Sequence, residues 1–167
     1  MGNRTQELLM QFENAIQSLC DAGVDFVVVG DIAGVFHGST EATYAFEVCY
    51  SRAPDNLSRL AAALTPFHPR LRGVPAGLPF IWDEQTLRSG TIFTLQTDVG
   101  EIDLLAEVAG LGDYAEVKRH SLLVEAFDRS IATLTLPALI RAKLSTGREK
   151  DRSAVPELQS LLEAAGQ

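Results

Sequence analysis

The chain has 167 residues, 46% hydrophobic and 22% charged, with two cysteines and a formal net charge of −8 at a pI near 4.8. That length supports one sizeable core without disulfide staples, and the acidic balance excludes a broad electrostatic footprint for nucleic-acid phosphates. No apolar run approaches the roughly 18 residues of a membrane span and residues 1–7 carry no signal-peptide pattern, so a soluble cytoplasmic protein with reduced, buried Cys20 and Cys49 is expected.

Between Thr5 and Ala22 the positions Leu8, Leu9, Phe12, Ala15, Ile16 and Leu19 recur at helical spacing, and Gly23 supplies the stop. Asp25 to Val29 is a short β-branched run ended by Gly30, read as a strand buried on both faces, with a short helix from Ile32 to Phe36 behind it. Gly38-Ser39-Thr40 breaks that helix, and Tyr44 to Tyr50 is the next strand. Pro54-Asp55-Asn56 then opens a helix to Leu64, since proline lacks the N–H that a first turn leaves orphaned and an acid suits the helix dipole. Pro66 to Pro79, with its prolines and glycines, reads as an ordered loop or lid. Thr91–Thr97 and Glu101–Val108 are paired through Asp98-Val99-Gly100, and Ser121–Phe127 pairs with Ser130–Leu134 around Asp128-Arg129. Leu136–Thr146 and about Asp151–Ala165 close the chain as helices. The expected architecture is a single α/β (α+β) domain over 1–167, with a mixed sheet flanked by helices in 1–135 and a helical element in 136–167.

Two acids stand out because they interrupt apolar strands. Side chains alternate across a strand, which puts Ala45, Glu47 and Cys49 on one face, opposite the core face of Phe46, Val48 and Tyr50. Asp103 sits likewise among Ile102, Leu104 and Leu105, and if the two strands are neighbours, Glu47 and Asp103 face each other. Shielded carboxylates repel unless they share a proton, a cation or a divalent metal. The plainer alternative is that each acid lies at a strand end, solvated or paired with an arginine such as Arg52 or Arg88. For an anionic ligand the C-terminal third offers Arg141, Lys143, Arg148, Lys150 and Arg152.

Taken in order, Val28-Val29-Gly30, His37-Gly38-Ser39-Thr40, Ala42-Thr43, the Glu47 strand and Gly100-Glu101-Ile102-Asp103-Leu104-Leu105 resemble the nucleotidyltransferase superfamily. Within it the chain is similar to small bacterial proteins related to abortive-infection-type toxin nucleotidyltransferases, over about Asp25 to Leu162. The resemblance implies magnesium held by Glu47 and Asp103, and a nucleoside triphosphate contacted by Gly30, Ser39, Thr43, Lys143 and Lys150. It also marks three departures: Asp31 where a second glycine or serine is expected, Glu41 in place of an arginine, and Ala45 in place of the first metal-binding aspartate. Each weakens a triphosphate–magnesium site, so the leading expectation is a compromised site, weakly active or non-catalytic. The alternatives are magnesium-dependent nucleotidyl transfer to a hydroxyl acceptor, and a repurposed or engineered pocket in which Glu47 is a general base or ligand contact. A nucleoside triphosphate, another small molecule or a protein is the partner these readings allow.

The remaining candidates read as packing. His37, His68 and His120 lack the spacing of a zinc site, Cys49 reads as filling rather than as half of a Cys49–His37 nucleophile pair, and Phe80 and Trp82 as core rings rather than cleft walls.

Overall fold

The computed structural model describes residues 7, 9–40, 45–75 and 77–166. Helix α1 (Glu13–Asp21) buries Ala15, Ile16 and Leu19 and ends where Gly23 turns left-handed at φ 72°. The predicted helix from Thr5 is thus shorter: residues 9–11 are helical, Phe12 forms a turn, and residues 1–6 and 8 lie outside the described residues. Strand β1 (Phe26–Val29) is buried at every position and runs straight into α2 (Gly30–Phe36). Then come β2 (Ala45–Tyr50) and α3 (Pro54–Leu64), with Pro54 and Asp55 in its first turn. Buried Asn56 accepts from the Asp25 N–H at 2.6 Å and donates to the Asp25 and Ser51 carbonyls at 3.1 and 2.8 Å, tying α3 to the ends of β1 and β2.

The proline-rich stretch is more regular than its composition suggests. Thr65–Phe67 forms a 3-10 turn, and β3 (Arg70–Leu71) adds to the sheet edge by pairing with Gln96 and Leu95. Neither pairing residue is proline, so their backbones are free to join the ladder, and the Arg72 N–H extends it to the Thr94 carbonyl at 2.9 Å. Trp82 packs against the core and donates its indole N–H to the Ala61 carbonyl at 2.9 Å.

Helix α4 (Glu84–Arg88) leads to the hairpin of β4 (Ile92–Thr97) and β5 (Gly100–Leu105). The predicted strand through Val108 divides here: after Leu105 the chain leaves the sheet, and β6 (Glu107–Val108) pairs with β7 (Gly112–Asp113) in a separate ribbon. Helix α5 (Tyr114–Arg119), unassigned from the sequence, is capped by the Asp113 carboxylate, which accepts from the Glu116 N–H at 3.2 Å. Strands β8 (Ser121–Ala126) and β9 (Arg129–Leu134) turn through Phe127 and Asp128, both left-handed at φ 55° and 60°, as a tight hairpin requires. Helices α6 (Leu136–Thr146) and α7 (Glu149–Ala164) close the chain.

The seven-stranded sheet has the order β3-β4-β5-β2-β1-β9-β8, with β2 parallel to β5 and β1 parallel to β9 inside otherwise antiparallel pairs. Phe46, Val48, Tyr50, Ile102 and Leu104 are fully buried, and the Phe46 ring stacks on Phe12 with centroids 5.6 Å apart. The opposite face of β2 and β5 opens beneath α6 and the start of α7. Among the described residues no helix is long and apolar enough to cross a membrane.

Candidate active-site cleft

Parallel pairing sets Glu47 directly beside Asp103 and Ala45 beside Glu101, while the antiparallel β1 places Val29 on the other flank of Glu47. The juxtaposition expected from alternation therefore holds. Asp103 is not free, however: the Arg72 guanidinium, arriving from the end of β3, donates to its Oδ1 at 2.6 Å and to the Leu95 carbonyl at 2.9 Å. Arg72 Nε lies 3.5 Å from Glu101 Oε1. The arginines suggested by the sequence are engaged elsewhere, Arg52 on the Arg88 carbonyl and Arg88 on Glu84.

The second acid-rich wall is also neutralised internally. Lys143 on α6 is 7% exposed, and its ammonium donates to Asp31 Oδ1 and lies 3.5 Å from Asp151 Oδ1. Asp151 Oδ2 accepts from Thr146 Oγ1 at 2.6 Å and from Arg148 Nε at 2.8 Å. Burial pushes the Asp151 carboxyl up, but the Thr146 hydroxyl, Lys143 and Arg148 outweigh it and hold the group below the usual carboxylate range. Lys150 stays exposed, 4.0 Å from Asp31 Oδ2.

Glu47 is the exception, since among the described residues its carboxylate makes no hydrogen bond or ion pair. Burial chiefly, then the charges of Asp103 and Asp31, push its pKa up to about 7 against the opposing pull of Lys143 and Arg148. Its position also explains Gly30. That residue adopts φ +67°, and a Cβ there would fall on Glu47 Oε1 and 2.8 Å from its Cδ.

Two chambers meet at this carboxylate. One, of about 720 Å³, is polar and bounded by Gln11, Asp31, Glu101 and Lys150. The other, of about 390 Å³, is walled by Ile92, Leu105, Val108 and Leu139, and both share Glu47, Asp103, Lys143, Arg148 and Asp151. A 520 Å³ depression between α1 and α3, lined by Asn14, Gln17, Asp21 and alanines, gathers no comparable chemistry.

Of the residues predicted for nucleotide, the fold brings Gly30, Lys143 and Lys150 to the cleft; Ser39 goes elsewhere. Its hydroxyl donates to Glu157 Oε1 on α7 at 2.5 Å, and the Thr40 N–H and hydroxyl both reach Glu157 Oε2, at 3.1 and 2.8 Å. Glu41 and Thr43 lie outside the described residues. Of the altered positions, Asp31 and Ala45 line the polar chamber. His37 Nε2 meets the Leu134 carbonyl at 2.7 Å, while the Cys49 sulfur faces the Ala106 carbonyl and burial pushes its thiol up to about 12, so the two form no nucleophile pair. Arg72 and Asp151 are cleft residues that sequence reasoning missed; for Arg72 in particular an indirect clue existed. The signal was available, because an acid inside an apolar strand calls for a cation, but nothing local says which one.

As the acids are arranged here, Asp103 Oδ1 is engaged by a guanidinium and Asp31 by an ammonium, Ala45 offers no ligand, and among the described residues no group of three or more His, Cys, Asp or Glu is placed to hold a metal ion.

No protein-family model and no curated sequence matches the chain. Its structure is similar to that of a "putative nucleotidyltransferase" from Thermotoga maritima, with a TM-score of 0.59 and 14% identity over 93% of this chain and 94% of that one. The mixed sheet, its flanking helices and this likeness together give the chain a nucleotidyltransferase-like fold.

Proposed function

We propose that this chain is a nucleotidyltransferase-superfamily protein, akin to the abortive-infection-type toxin group, whose cleft has lost magnesium-dependent nucleotidyl transfer and serves as a binding module for a small molecule. The observation that carries this reading is that internal cations already pair two of the cleft acids: Arg72 on Asp103 and Lys143 on Asp31. In-line transfer needs carboxylates that hold a hard cation in near-octahedral geometry against the triphosphate. Here magnesium would have to displace two charge-assisted hydrogen bonds and leave buried Lys143 with one acid fewer.

The test is calorimetric titration of the full chain with ATP, GTP, CTP and UTP, each with and without magnesium, alongside circular dichroism to establish folding. Silence from all four supports the reading. Magnesium-dependent binding of any one overturns it and favours transfer to a hydroxyl acceptor, to be sought with α-labelled nucleotide. Combining Asp31→Gly, Ala45→Asp and Arg72→Ala restores a ligand and removes two obstacles, so nucleotide binding should be gained in that chain.

A further inference from the structure

We propose that the apolar chamber beside Glu47 binds a small organic monocation, an ammonium group on an apolar body, with the Glu47 carboxylate as its counter-ion. The inference rests on the preceding reading, because a magnesium–triphosphate would claim Glu47 for the metal. Three observations on this chamber converge.

Its volume, about 390 Å³, lies in the range of small-molecule sites, and its walls are the aliphatic side chains of Ile92, Leu105, Val108 and Leu139. They give an apolar body somewhere to leave water. The uncommitted charges at its edge are of one sign. The Glu47 and Glu107 carboxylates make no hydrogen bond or ion pair among the described residues, whereas Lys143 and Arg148 already neutralise Asp31 and Asp151. An anion entering here would meet carboxylates without a free buried cation, and a neutral molecule would cover Glu47 without pairing it, which leaves a desolvated charge uncompensated. An ammonium removes that penalty.

Geometry narrows the ligand further. Glu47 stands at the junction of the two chambers, so an amine reaching it from the apolar side has its head group against the polar chamber and its body among the aliphatics. Asp103, its register partner, presents an oxygen beyond the one held by Arg72 and adds negative potential at the same point. The net charge of −8 raises the local concentration of cations around the whole molecule.

The experiment is calorimetric titration of the full chain near pH 8 with 4-phenylbutylamine, its neutral isostere 4-phenylbutan-1-ol and the anion 4-phenylbutyrate. The amine should bind at least about tenfold more tightly than the alcohol, and the carboxylate not at all. Glu47→Gln, checked for folding by circular dichroism, should reduce the preference for amine over alcohol to about one, while Glu47→Asp keeps most of it. Equal affinity for amine and alcohol, an undiminished preference in Glu47→Gln, or no saturation by the amine up to about 10 mM overturns the inference. Magnesium-dependent ATP binding in parallel runs overturns the proposed function whatever the amine does; silence from both ligands overturns the inference alone.

Discussion

Replacing Glu47 by Gln should stabilise the protein, and by more at alkaline than at acid pH. The side chains are nearly isosteric, but only the acid pays to ionise in a shielded cleft beside Asp103. A carboxyl with an ordinary value of 4.5 and a folded value near 7 binds its proton more tightly in the fold than in the unfolded chain. The wild-type protein therefore loses stability as pH rises from 4.5 through 7, and the loss is complete above that window. The cost is about 1 kcal/mol at pH 5 and about 3 kcal/mol at pH 8, the latter an upper value because the polar chamber admits water. Groups common to both chains cancel in the difference. Urea titrations followed by circular dichroism at the two pH values, with unchanged m-values, should show the advantage of Glu47→Gln widening by about 2 kcal/mol. A gap that stays constant, or narrows as pH rises, would refute the argument that Glu47 is a strained, unpaired acid.

Gly30→Ala should destabilise by about 2 kcal/mol or more, since the new Cβ meets the Glu47 carboxylate at a left-handed backbone position. Adding Glu47→Ala should recover the steric part and leave about 1 kcal/mol of backbone strain, a coupling that a double-mutant cycle in denaturant reads directly. Lys143→Met should cost about 3 kcal/mol because it takes from Asp31 its close cation and from Asp151 one of its partners, whereas Lys150→Ala, at an exposed ammonium 4.0 Å from Asp31, should stay within about 0.5 kcal/mol by the same measurement. Arg72→Ala should lower the thermal midpoint by several degrees through loss of its bonds to Asp103 and Leu95, and a midpoint matching wild type would show that this ion pair holds nothing in place.

The strands that build the cleft were legible because their information is local. Alternation in Ala45–Tyr50 and Gly100–Leu105 separates a core face from a face carrying Glu47 and Asp103, and the turn at Asp98-Val99-Gly100 pins a hairpin between neighbours in sequence. Helix signals at Pro54-Asp55 and Gly23 were equally short in range, whereas the two-residue strand Arg70–Leu71 is too brief to carry a period. The electrostatic state of the site was not legible. Arg72 reaches Asp103 across 31 residues, Lys143 reaches Asp31 across 112, and Glu157 holds Ser39 across 118, so residues that looked ready for phosphate or metal are paired with one another. By itself the sequence determined which acids stand on the pocket face, since side-chain direction follows from backbone period. Only the tertiary structure decided which of them keep a free charge, because a carboxylate's partner is whichever cation the assembled sheet and helices bring within about 3 Å, and that proximity has no local signature.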